Sequence, residues 1–159
     1  ALNKLGQKAE PVLPEATAAL KDRDATVRQC AATLIGNIGP AAKGVAPDLL
    51  AMFQDAAQPA AVRAAIPFAL VGVGADPKVV TPAVKAGVAD KDVFVRMACA
   101  SALYGLDKSE AKAAVQVYRD ALKVEDAHMA AVLGMKQFKG DAKDAVPDLI
   151  AMFQQGGPG

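Results

Sequence analysis

The sequence predicts an all-α fold, an α-solenoid of stacked antiparallel helix pairs with about nine helices. Three observations carry that prediction. First, the segment Ala46 to Gln54, APDLLAMFQ, returns as Val146 to Gln154, VPDLIAMFQ, with seven of nine positions identical. The offset of 100 residues divides into three steps of roughly 33, a period of stacked helical repeats. Second, the chain is 53% hydrophobic but only 4% aromatic, with alanine its commonest residue. Small side chains favour helix and close helix packing, whereas sheets draw on β-branched and aromatic residues. Third, apolar residues recur at three- and four-residue spacing, the signature of amphipathic helices.

The elements follow in order from the repeated segment. With Pro47 as anchor, similar apolar segments start near Pro14 and Pro82, then near Val115, then at Pro147, in steps of 33, 35, 33 and 32 residues. Proline is tolerated in the first helical turn, where its missing N–H has no intrahelical partner. Glu15, Asp48 and Asp148 follow these prolines and favour the positive helix start. Between these segments lies a second kind of unit: Asp24 to Gly39, Pro59 to Gly74, Asp92 to Asp107 and Asp126 to Gly140. Each opens on a polar or proline-bearing cap and carries an apolar stripe, usually with glycine near its end as a stop.

The predicted organisation is one solenoid over residues 1–155. It has helix pairs at about 11–40, 42–75, 77–107 and 109–140, then an unpaired helix at 142–154. Residues Leu2–Gly6 read as the cut end of a preceding helix, and 156–159 as a flexible tail. Pro67 falls inside the second helix of the second pair, where it removes a bond to the Arg63 carbonyl, so a kink is expected there.

The elements Asp22…Arg28 and Asp90…Arg96, each followed by an alanine-rich helix, resemble the HEAT repeat family, in particular its phycobilisome-lyase HEAT-like form. The resemblance covers nearly the whole chain and implies a right-handed superhelix with the second helices on the concave face. It also implies a ladder of Asp–Arg contacts between neighbouring repeats, with Asp22, Arg28, Arg63, Asp90 and Arg96 as its members. Two departures leave that ladder incomplete: Ala57 stands where the second unit should carry Asp, and His128 where the fourth should carry Arg. The chain reads as a fragment of a longer bacterial protein.

Little chemistry is expected. Lys and Arg number 18 against 17 Asp and Glu, a net charge of +1, which gives no general field for nucleic acid or an acidic membrane. No run of 18 apolar residues spans a bilayer, and the opening residues carry no signal core; the compartment stays unassigned. One histidine cannot make a metal site, which needs three or four ligands, so no cofactor or metal is expected. Cys30 and Cys99 lie two repeats apart, roughly 20 Å from the helix spacing, beyond the ~7 Å reach of a disulfide. Both read as small core or near-core residues.

The expected function is a non-enzymatic scaffold for a partner protein or peptide. Counted from the Val of each Val-Arg pair, positions two, six and nine further on fall opposite the core stripe. That row turns apolar along the rod: Phe68 and Val71, then Met97 and Tyr104, then Met129 and Leu133. An exposed apolar patch of this kind marks a partner site. The alternatives are a non-catalytic part of a bilin lyase-type assembly and a nucleic-acid-binding domain of the same architecture. The last helix lacks a covering partner in sequence, so an open apolar end prone to end-to-end self-association is expected around Met152 and Phe153.

Overall fold

A computed structural model describes residues 10–155, and among them helices alternate with short 3-10 segments and no strand occurs. Seven helices have nine residues or more: α1 (Ala25–Ile38), α2 (Ala46–Gln54), α3 (Ala60–Gly72), α4 (Pro77–Gly87), α5 (Val93–Leu106), α6 (Ala111–Ala121) and α7 (Val146–Gln155). Two of the expected helix positions hold shorter helices, Leu13–Ala19 and His128–Met135. The expectations for Leu2–Gly6 and for 156–159 lie outside the described residues.

Local chemistry sets where the helices begin and stop. The Asp24 carboxylate accepts from the Thr26 N–H at 2.7 Å, Asp76 from Lys78 at 2.9 Å, and Asp92 from Phe94 at 2.9 Å and Val95 at 3.1 Å. Each satisfies donors that have no partner in the first turn. Gly39 (φ 80°) ends α1 and Gly74 (φ 67°) follows α3, both in a left-handed region open mainly to glycine. The proline anchor at Pro82 marks no start: α4 begins five residues earlier at Pro77, and Pro82 lies inside it. Likewise α6 begins at Ala111, with Val115 buried in its middle. Helix α3 is continuous from Ala60 to Gly72 with the buried Pro67 inside it.

The fourth second helix departs most from expectation. It runs only His128–Met135 and gives way to a 3-10 stretch, Lys136–Ala145, turned at Lys139 with φ 47° and ψ −120°. Lys139 stands 100 residues after Gly39, the left-handed stop of α1, and the glycine here falls one place late at 140.

Packing runs from neighbour to neighbour. Helix α1 packs on α3 and α3 on α5, while the short helix 13–19 backs α1, α2 backs α3, and α4 backs α5. Beyond α5 the order changes: α5 packs on α6, and α6 holds both the short helix 128–135 and the 136–145 stretch. Two apolar clusters result. Ile35, Leu49, Ile66, Leu70 and Val84 fill the first, and Phe138, Val115, Tyr118 and Ala131 the second. Helix α5 serves both, giving Val95, Cys99 and Leu103 to one side and Met97, Ala100 and Tyr104 to the other. Each fully buried large side chain contributes about 1.5–3 kcal/mol.

Glycine allows the closest approach. A Cβ on Gly36 would come within 2.7 Å of the Ala69 Cα, and one on Gly72 within 2.4 Å of the Gly36 carbonyl oxygen. Helices α1 and α3 therefore touch backbone to backbone at this crossing.

Candidate partner-binding face

The first three second helices each carry an arginine four residues past the cap: Arg28 after Asp24, Arg63 after Pro59, Arg96 after Asp92. About one helical turn returns the guanidinium to the preceding loop. Arg28 Nη1 donates to the carbonyls of Asp22 (2.8 Å) and Arg23 (3.0 Å). Arg96 repeats the pattern on Asp90 (2.8 Å) and Lys91 (3.1 Å), and Arg63 Nε donates to the Gln58 carbonyl at 3.2 Å.

Two arginines also reach the next loop along. Arg63 donates to both carboxylate oxygens of Asp90, its Nη2 at 3.2 Å, and both side chains are largely buried. Burial pushes the Asp90 carboxyl up, but the Asp92 N–H and the Arg63 guanidinium outweigh it and hold the group below its usual range. Arg28 Nε donates to the Gln58 side chain at 3.0 Å. Gln58 is itself oriented by Asp55, which accepts its Nε2 at 3.0 Å and the Ala57 N–H at 2.9 Å. The Ala57 and Gln58 donors hold the Asp55 carboxyl below its usual range. An Asp–Gln relay thus stands where Ala57 cannot serve. At the other end, Asp22 accepts the Asp24 N–H at 2.8 Å, as Asp90 accepts that of Asp92 at 2.9 Å. Among the described residues no cation pairs with the Asp22 carboxylate.

The six residues of the expected partner row separate into different environments. Phe68 is 53% exposed, Met129 71% and Leu133 52%. Val71 is half-buried, its Cγ1 3.7 Å from where a Cβ on Gly105 of α5 would lie. Met97 and Tyr104 are buried, which corrects their place in the row. The Tyr104 ring packs edge-on against Phe138 at 4.9 Å, its hydroxyl donates to Asp141 at 3.2 Å, and the Lys108 ammonium lies 3.5 Å over its face. Between them, Ser101 shares a 2.7 Å bond with the Tyr118 hydroxyl and accepts from Gln137 at 2.8 Å.

The reason is helix phase. At about 100° per residue, positions two and nine point roughly 40–60° away from position six, toward the following helix. Gly36 and Val71 meet a neighbour for that reason, and in α1 and α3 position six looks outward, at Thr33 and Phe68; in the helix 128–135 both position two, Met129, and position six, Leu133, stay exposed. In α5 even that position is covered, because Gln137 and Tyr118 close over Ser101.

Phe68 borders a groove of about 310 Å³ between α1 and α3, lined by Thr33, Gly36, Asn37, Ala65 and Ala69, none of them charged. The groove exists because Gly36 and Gly72 bring the two helices together and leave no side chain to fill the seam. Thr33 and Asn37 are exposed on its rim.

Elsewhere two clefts repeat one another. One of about 540 Å³ is lined by Arg28, Asp48, Ala51 and Met52, and one of about 570 Å³ by His128, Asp148, Ala151 and Met152. Arg119 pairs with Asp148 in the second. In α7, Val146 and Ile150 are exposed and Leu149 and Met152 half-buried, whereas Leu49, the counterpart of Leu149, is fully buried. The side chain of Phe153 lies outside the described residues.

The two cysteines differ. Cys30 is exposed, which corrects its assignment to the core, while Cys99 is buried beside Gly87. Burial pushes the Cys99 thiol up to about 12, with the Asp90 carboxylate adding to it. Among the described residues no group of three or more His, Cys, Asp and Glu side chains converges as a metal site, and no helix is long and apolar enough to cross a membrane.

No family model matches the chain, and no curated protein or solved structure matches it. Three features escaped sequence reasoning: Phe138 as a core residue, the Gln58–Asp55 relay, and exposed Leu34 on α1. The 100-residue offset held a signal for the first, since it sets Phe138 against Ile38, and both are buried.

Proposed function

We propose that this chain is a HEAT-like α-solenoid serving as a non-enzymatic scaffold, which binds a protein or peptide segment on the outward face of its second helices. The side-by-side order of α1, α3 and α5, each backed by a first helix and joined by arginine rungs, supports the solenoid reading. A single observation carries the binding reading: Phe68, more than half exposed, stands over an uncharged groove between helices in backbone contact. Large aromatic side chains beside small pockets are where binding energy concentrates. A segment lying along the seam would set an apolar side chain against Phe68 and meet the polar groups of Thr33 and Asn37 at the rim.

The test is a photo-reactive phenylalanine analogue at position 68, with the same probe at exposed Lys112 on α6 as control. Position 68 is expected to crosslink one polypeptide from cell extract, and the control none of it. Equal capture at both positions, or undiminished capture by the Asn37→Ala variant carrying the probe at 68, would count against the reading.

A further inference from the structure

Two successive repeats carry the same cleft on their first helices but line it differently. Gly36 and Gly72 draw α1 and α3 together, whereas α2 and α4 behind them meet only lightly. Between α2 and α4 lies a cleft of about 360 Å³, walled by Ala46, Pro47, Leu50 and Ala51 on one side and Val79 and Val80 on the other. Its counterpart stands 31 residues further on, a cleft of about 540 Å³ where Pro77, Lys78, Thr81 and Pro82 of α4 hold the matching positions. Equivalent caps fix that register: Asp76 accepts from the Lys78 N–H at 2.9 Å, and Asp107 from the Ser109 N–H at 2.8 Å. In the later cleft an ion pair of 2.6 Å between Lys85 and Glu110 joins the walls. In the earlier one Gln54 and Val79 hold those two places, and Pro47 and Leu50 stand for Lys78 and Thr81. The clamp is gone and the walls it joined are apolar, with Val79 58% exposed.

We propose that the α2–α4 groove binds an unbranched aliphatic carboxylate, its chain lying along α2 and its carboxylate beside Lys43. Length, lining and charge each bear on that choice. From Ala46 to Gln54 the wall runs about 12 Å at 1.5 Å per residue, the reach of roughly ten carbons in an extended chain with ~1.5 Å bonds. The lining is aliphatic and holds no aromatic ring, so it offers contacts to methylenes and no stacking face. Its polar side chains are few: Lys43, Gln54 and Asp76. Lys43 precedes α2 and Gln54 closes it, so the two mark opposite ends of the groove. Among the described residues Lys43 enters no ion pair, which leaves its ammonium for an anionic ligand. Asp76 belongs to the Gln54 end. Its counterpart Asp107 lies near enough to Lys85, the counterpart of Gln54, to add to the rise that Glu110 causes in that ammonium's pKa. A carboxylate head is therefore drawn to the Lys43 end and turned from the other.

The groove belongs to the first helices, so binding there is independent of a partner at Phe68. The test is an NMR titration of the nitrogen-15-labelled chain with hexanoate, octanoate and decanoate, each below its micelle-forming concentration. Amide shifts are expected at Leu50, Ala51, Val79 and Val80, with affinity rising roughly two- to fourfold per added methylene, fourfold being full burial. Lys43→Gln weakens octanoate roughly two- to fivefold and leaves octanol unchanged. The double variant Gln54→Lys with Val79→Glu, both at exposed positions, rebuilds the clamp of the later cleft and abolishes decanoate binding; an unlowered thermal midpoint shows that its fold is kept. Phe68→Ser binds as wild type does, which separates this groove from the one between α1 and α3. Equal affinity for hexanoate and decanoate, shifts centred on Phe68, or a folded clamp variant that binds decanoate as wild type does overturns the proposal.

Discussion

Replacing Arg63 with methionine removes the best-formed rung between the second and third repeats. The guanidinium donates to both oxygens of Asp90 and to the Gln58 carbonyl, and both side chains of the pair are about nine-tenths buried. Truncation leaves the Asp90 carboxylate with the Asp92 N–H alone. Breaking a buried pair on one side costs about 3–5 kcal/mol. Because Asp90 keeps that bond and some solvent, the expected loss lies at the low end, about 3 kcal/mol, or roughly 6–12 °C in Tm. Urea unfolding of Arg63→Met, Asp90→Asn and the double variant closes a cycle with an expected coupling of about 1–3 kcal/mol. The pH dependence has a fixed sign. Asp90 titrates lower in the folded state, so its contribution is complete above the unfolded value near 4 and fades as pH falls through the folded one. A coupling below about 0.5 kcal/mol, or a coupling that persists below the folded value, would refute the reasoning.

Other outcomes follow from single positions. Lys139→Gly is expected to stabilise the chain by about 1 kcal/mol, because φ 47° strains any side-chain-bearing residue; a lower thermal midpoint would contradict it. Gly36→Val forces α1 and α3 apart and is expected to cost about 1–3 kcal/mol, measured by urea unfolding, with an unchanged midpoint as the contrary result. Under native conditions at pH 8, a thiol reagent is expected to label Cys30 within minutes and Cys99 only on unfolding, since burial holds the Cys99 thiol near 12. Mass spectrometry of the labelled peptides distinguishes the two.

Much of the helical plan was legible in the sequence because it is local. Asp24 and Asp92 announce helix starts through their own side-chain bonds, and Gly39 announces a stop through its φ. Proline was a weaker marker: Pro77 and Pro82 both fit a helical φ, and only the Asp76 cap decides between them. The candidate face was less legible because it depends on angle. A rotation of roughly 40–60° separates Phe68, which looks outward, from Val71, which meets α5. Met97 and Tyr104 were lost to the face through contacts made by Phe138 and Asp141, more than 30 residues away. No periodicity in α5 records that cover. The Gln58 relay is likewise a tertiary substitution, in which a side chain reaches the place that Ala57 leaves vacant.

Helix α5 has the character of a party wall between two rooms. Its Val95–Cys99–Leu103 side completes one apolar cluster and its Met97–Ala100–Tyr104 side the other. Neither room can be emptied without stripping one face of that wall, yet the wall still stands on the face that remains. Force applied from the carboxyl end is therefore expected to peel away α7, the 136–145 turn, the helix 128–135 and α6 before it meets α5, where the first cluster resists. The boundary such pulling is expected to meet lies at Asp107, where the third predicted helix pair ends and α5 stops.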